Sequence, residues 1–147
     1  MSKPELAIVK QKSLPKALVA GLIAGLVATA AKTLAERMFP PHAKAEPEPE
    51  QPAASSAAPE AIQWGFGAAV GVAYGAIAEY YPAATAKEGA SFGMALGALT
   101  QEGVLPAEAS SAEHEDQPIR ERASEMTSHV VYGVVAETVR RFVRKLI

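Results

Sequence analysis

Glu125 and His129 stand four residues apart, as do Lys32 and Glu36. On a helix each pair shares one face, and a carboxylate one turn from an imidazole is a combination that can hold or pass a proton. A metal centre would need more. A carboxylate-bridged di-iron bundle uses Glu-x-x-His at three-residue spacing, twice, with two further glutamates, and this chain matches neither the spacing nor the copy number. The absence of cysteine removes disulfides, thiolate metal sites and a cysteine nucleophile. Gly89, Ser91 and Gly93 spell the GxSxG of a nucleophile elbow, but that motif works on a sharp turn from a strand into a helix, and the surrounding residues read as helix. Gly65, Gly67 and Gly71 resemble a dinucleotide fingerprint with no strand before them and no βαβ unit around them. The expectation is no catalytic residue, no metal and no cofactor, with Lys32, Glu125 and His129 as the polar cluster to follow.

The elements that must position this cluster are marked by glycine. Gly67, Gly71 and Gly75 recur every four residues, and so do Gly89, Gly93 and Gly97, while Gly21 and Gly25 form a shorter run. Positions four apart lie on one helical face, so each run makes a side-chain-free groove that admits a second backbone. The two long ladders suggest two antiparallel helices joined by a short turn at Tyr81 and Pro82. The spacing predicts a cytoplasmic N-terminal segment at 1–16, a first helix at 17–38, and an extended Ala, Pro and Glu linker at 39–60 whose composition cannot bury enough surface to order itself. The remainder, 61–147, is read as three helices of the same single domain. The second helix ends near Tyr80. Thr85 and Glu88 have the spacing of a capping box, which would start the third helix near Ala86 and carry it to about Val104. The fourth opens at Pro118 and continues to the end of the sequence. The fold class expected is all-α: a small integral-membrane bundle of about four helices packed through glycine ladders.

Hydrophobic residues are 49% of the 147, an ordinary share, but they are segregated into windows almost free of charge, such as Ala17 to Ala31 and Ala61 to Ala78. A soluble amphipathic helix would show a charge every turn or two. The net charge of −2 and the lack of a basic stripe interleaved with aromatics exclude nucleic acid as an expected partner. Lys3, Lys10, Lys12 and Lys16 precede the first helix, and Arg140, Arg141, Arg144 and Lys145 close the fourth. The positive-inside bias therefore predicts both termini in the cytoplasm. Lys32 would then share a depth with Glu125 and His129, with the Glu125 carboxylate between the two cations. A neutral His129 bonded to a helix carbonyl, or lining a polar core, is the alternative reading of that residue.

With these residues placed, the chain resembles the YagU-like family of small bacterial inner-membrane proteins. The matching features are Trp64-Gly65, Tyr74-Gly75 and Pro82, then Gly89 with Phe92-Gly93, and in the last helix Ser124-Glu125, His129, Tyr132-Gly133 and Glu137 before Arg140-Arg141. The resemblance implies several membrane-spanning helices, the cytoplasmic membrane and no enzyme. The function expected is that of a non-enzymatic multi-pass membrane protein acting on the bilayer, on a second copy of itself or on another membrane protein. Two alternatives stand beside it: a proton- or ion-linked transporter using Lys32, Glu125 and His129, and a soluble or peripheral Ala-rich bundle.

Overall fold

The computed structural model describes residues 12–38, 57–102, 104 and 119–147. Four helices order the chain: α1 (Leu14–Met38), α2 (Ala57–Tyr80), α3 (Ala90–Gln101) and α4 (Ile119–Leu146), with a kinked run of tight turns, Pro82–Gly89, between α2 and α3. No strand occurs among the described residues, so the fold is an all-α bundle. The expected linker gives up its last residues to α2, which begins at Ala57 because a helix tolerates a proline such as Pro59 in its first turn, where the missing N–H has no partner to lose. The rest of that linker lies outside the described residues.

The glycine runs meet partners other than those the spacing suggested. A Cβ added at Gly71 would run into the carbonyl oxygen of Gly21 and the backbone of Gly25, and one at Gly75 would meet Ala17 and Gly21. One at Gly25 would lie 2.5 Å from the Gly67 carbonyl oxygen. The first long ladder therefore packs on α1, and the falling register shows that α1 and α2 are antiparallel. The second ladder packs on α4: Gly89 faces Gly133 and Glu137, Gly93 faces His129 and Val130, and Gly97 faces Met126 and His129. Periodicity marks a groove but carries no address for the helix that fills it, which is why the ladders of α2 and α3 read as partners of one another in sequence.

The start of α3 also departs from its sequence cue. The Thr85 hydroxyl donates to the Pro82 carbonyl instead of capping a helix, and Lys87 and Glu88 adopt left-handed backbone conformations with φ of 52° and 55°. Gly89 follows at φ 88° and α3 begins one residue later. The close seat of Gly89 on Gly133 dictates this turn. The turn sets Gly89 against the backbone of α4, a tertiary contact that prevails over the local capping pattern. At its other end α3 stops at Gln101, short of Val104, with Glu102 as its cap.

Three side-chain contacts align α2 with α4. Tyr132 reaches Gly67, Tyr74 reaches Glu137 and Glu79 reaches Arg144, a nearly constant offset in sequence that makes these two helices parallel. The start of α1, the end of α2, the Pro82–Gly89 turn and the end of α4 therefore meet at one end of the bundle, where the Lys16 ammonium donates to the Ile147 carbonyl oxygen. The end of α1 and the starts of α2 and α4 meet at the other, where the Gln63 amide donates to the Thr33 hydroxyl.

Candidate functional site

Buried polar side chains gather at two levels of the bundle. Near the middle, a cavity of about 20 Å³ is lined by all four helices: Thr29 and Lys32 from α1, Phe66, Gly67 and Val70 from α2, Leu96 from α3, His129 and Tyr132 from α4. Small residues on α1 and α2 bring their backbones together, and Lys32 is carried to this level on the same face as Gly21 and Gly25. Two of the expected cluster residues, Lys32 and His129, thus share one cavity. The third enters differently. Nδ1 of His129 lies 2.9 Å from the main-chain carbonyl oxygen of Glu125. Among the described residues, Lys32 pairs with the carboxylate of Glu36, at 2.7 Å. Among the described residues the Glu125 carboxylate forms no ion pair, which corrects the expected Lys32–Glu125–His129 arrangement. The reason is local: Lys32 and Glu36 are one turn apart on the same helix and pair without help from the fold.

The second level lies at the end where α1 begins and α4 finishes. Glu137 is fully buried and is the hub. Its carboxylate accepts from the Tyr74 hydroxyl at 2.7 Å, from Nε and Nη2 of Arg140 at 2.8 and 2.9 Å, and from Nε of Arg141 at 2.5 Å. Beside it, Arg144 donates from Nε and Nη2 to the Glu79 carboxylate, which also accepts from the backbone N–H of Ser13 just ahead of α1. A buried charge is tolerated when it is paired and its hydrogen bonds are filled, and both carboxylates meet that condition. The pattern with Arg140 and Arg141 was visible in sequence as three- and four-residue spacing. The partnership of Glu79 with Arg144, 65 residues apart, was not.

The remaining motifs resolve as packing. Ser91 of the GxSxG pattern sits in the first turn of α3, while Gly89 and Gly93 admit the backbone of α4. Gly65, in the dinucleotide-like pattern, faces open space. Among the described residues no group of three or more histidine, aspartate and glutamate side chains could hold a metal ion. No curated protein and no solved structure matches the chain. Residues 53–138, more than half of it, match a family described as "protein of unknown function (DUF1440)". That stretch contains α2, both glycine ladders, Glu125, His129 and the buried Glu137, and the chain belongs to that family.

Proposed function

We propose that the chain is a multi-pass membrane protein without enzymatic activity, which packs as a helical bundle and acts on the bilayer or on a membrane partner. One observation carries this reading: the burial pattern of α1 is inverted with respect to a water-soluble helix. Its buried face is Ala17, Ala20, Gly21, Ala24, Gly25 and Ala28, with Thr29 and Lys32, whereas Val19, Leu22, Ile23, Leu26 and Val27 are between 38% and 48% exposed. In water, burial of the large aliphatic side chains is what drives folding, each contributing roughly 1.5–3 kcal/mol, so a soluble bundle would turn them inward. In hydrocarbon that drive disappears, close backbone approach through small residues takes over, and large apolar side chains face the lipid.

Length agrees. The 25 residues of α1 and the 21 of Glu60–Tyr80 are each long and apolar enough to cross a membrane. α3, with 12 residues, rises only about 18 Å against a hydrocarbon core of roughly 30 Å, so it enters without crossing by itself. The basic end of the bundle, with Lys16, Arg140, Arg141, Arg144 and Lys145, belongs in the cytoplasm by the positive-inside bias, and the likeness to YagU-like proteins points to the bacterial inner membrane. A transporter is the second reading, favoured by the interior cavity that holds Lys32 and His129. Fractionation tests the leading one. The chain should stay with membranes washed in alkaline carbonate and leave them only in detergent; release by carbonate alone removes the integral-membrane reading.

A further inference from the structure

The cavity at His129 has a neighbour. A hollow of about 250 Å³ is lined by Ala35 and Glu36 of α1 and by Ser124, Thr127 and Ser128 of α4. Each wall lies about one turn beyond the wall of the inner cavity, Ala35 and Glu36 beyond Lys32 on one helix, Ser124 to Ser128 ahead of His129 and Tyr132 on the other. The Lys32–Glu36 ion pair joins the two spaces, and exposure rises across it from 8% for the Lys32 side chain to 32% for that of Glu36.

The hydrogen-bonding inventory of the inner cavity is lopsided. Thr29 spends its hydroxyl hydrogen on the Gly25 carbonyl at 2.8 Å, and Tyr132 spends its own on the Gly67 carbonyl at 2.7 Å. A carbonyl oxygen only accepts, so Nδ1 of His129 carries the hydrogen that goes to Glu125, and Nε2 of the neutral ring is left with a lone pair. The walls therefore offer acceptors, and Lys32 supplies the donors. A space of this size admits about one water molecule, which needs two to four polar partners. Water meets the inventory: it accepts from an ammonium and donates twice to lone pairs.

We propose that the two hollows form one water-filled access path, open at the Glu36 end and closed at Tyr132, which delivers a proton to Nε2 of His129 from that side alone. In the step, hydronium at the cavity gives one proton to Nε2: an O–H bond breaks, an N–H bond forms, water remains, and the imidazolium keeps its Nδ1 hydrogen on the Glu125 carbonyl. Among the described residues, the charged and titratable side chains that line the cavity with the ring are Lys32 from α1, itself paired with Glu36, and Tyr132 from α4, while Glu125 meets the ring through its main chain. Helix α2 presents Phe66, Gly67 and Val70, and α3 presents Leu96. Beyond Tyr132 the interior is shut by the stacked rings of Tyr74 and Phe92, 4.2 Å between centroids, and by the filled Glu137 cluster. The sidedness of the path rests on the membrane reading above; its existence does not.

The cysteine-free chain allows a direct test on the full-length protein in sealed vesicles and in detergent. Thr127→Cys on the outer hollow, Thr29→Cys on the inner cavity and Ala136→Cys at the buried far side are each treated with methyl methanethiosulfonate and followed by mass. Thr29→Cys should react at least tenfold faster than Ala136→Cys, and several-fold faster again when Glu36→Gln removes the carboxylate between the two hollows. Thr127→Cys should react with a charged, impermeant reagent from one side of the vesicle only. Equal rates at Thr29→Cys and Ala136→Cys in both backgrounds overturn the path. With His42→Gln and His114→Gln leaving one histidine, ring nitrogen NMR should show the Nδ1–H form converting to imidazolium on acidification. A ring that stays neutral until the protein unfolds overturns the proton site. Ser124→Cys replaces Thr127→Cys should that variant fail to fold. Extraction of the chain by carbonate would remove the membrane reading while leaving the detergent rates to decide the path.

Discussion

Glu137 concentrates more of the polar chemistry of this protein than any of the three residues expected to form a cluster. The buried Glu137 carboxylate and the largely buried Arg140 guanidinium depend on each other, because removing either strands the other's charge away from water, while Arg141 is half exposed and Tyr74 a neutral donor. Glu137→Gln leaves Arg140 and Arg141 without their anion and should lower stability by roughly 3–5 kcal/mol, the range for breaking a buried pair. Tyr74→Phe removes one neutral donor from a charged acceptor and should cost roughly 1.5–3 kcal/mol. Thermal unfolding in detergent orders the two variants, and a Glu137→Gln protein that melts with the parent would show that the arginines find solvent without it. Glu125 stands at the other extreme. Since it serves through its main chain, its side chain is dispensable to the bond with His129, and among the described residues it is Glu36 that pairs with Lys32.

Among elements, the glycine positions differ sharply in what surrounds them, although they look alike in sequence. At Gly71 a methyl group would overlap the backbone of α1, which cannot rotate aside, so even Gly71→Ala must push two helices apart and should cost at least about 1–3 kcal/mol. At Gly97 the nearest atom to a new methyl is Met126 Sδ, at 2.9 Å, a flexible side chain that can yield. At Gly65 nothing lies within 4 Å, and Gly65→Ala should stabilise α2 by roughly 0.5–1 kcal/mol through helix propensity alone. The expected order of melting temperature is Gly65→Ala above the parent, Gly97→Ala below it and Gly71→Ala lowest. A Gly71→Ala variant as stable as the parent would mean that α1 and α2 are not in backbone contact.

For the whole molecule, the deciding feature is which side of α1 faces outward. Leu26 lies at the middle of that helix and is exposed. If lipid surrounds it, Leu26→Asp costs about 3 kcal/mol for an aspartate at the bilayer centre and should deplete the chain from carbonate-washed membranes. If water surrounds it, the same substitution is a surface change worth about 0.5 kcal/mol or less. An undiminished membrane fraction for Leu26→Asp would place lipid elsewhere. If lipid covers the belt of large apolar side chains, α1 and α2 would stand upright in it, with α3 and its turn packed against α4.

Sequence alone determined the helices, since charge-free windows, prolines and glycine periodicity are local properties that need no fold to act. α1 and α2 appear with ends within a few residues of those expected, and α4 within one or two. It also determined the pairs that lie one turn apart, Lys32 with Glu36 and Glu137 with Arg140 and Arg141, because helical geometry fixes them. Tertiary structure decided everything that joins distant parts. Gly67, Gly71 and Gly75 meet Gly21 and Gly25 rather than the ladder that follows them, because a groove without side chains accepts any matching backbone and only the packing of four helices selects one. The left-handed turn at Lys87 and Glu88 exists because Gly89 must reach Gly133, against the local capping pattern. Glu79 finds Arg144, and His129 shares a cavity with Lys32, only because α2 and α4 run parallel while α1 runs against both, an arrangement that no spacing along the chain encodes.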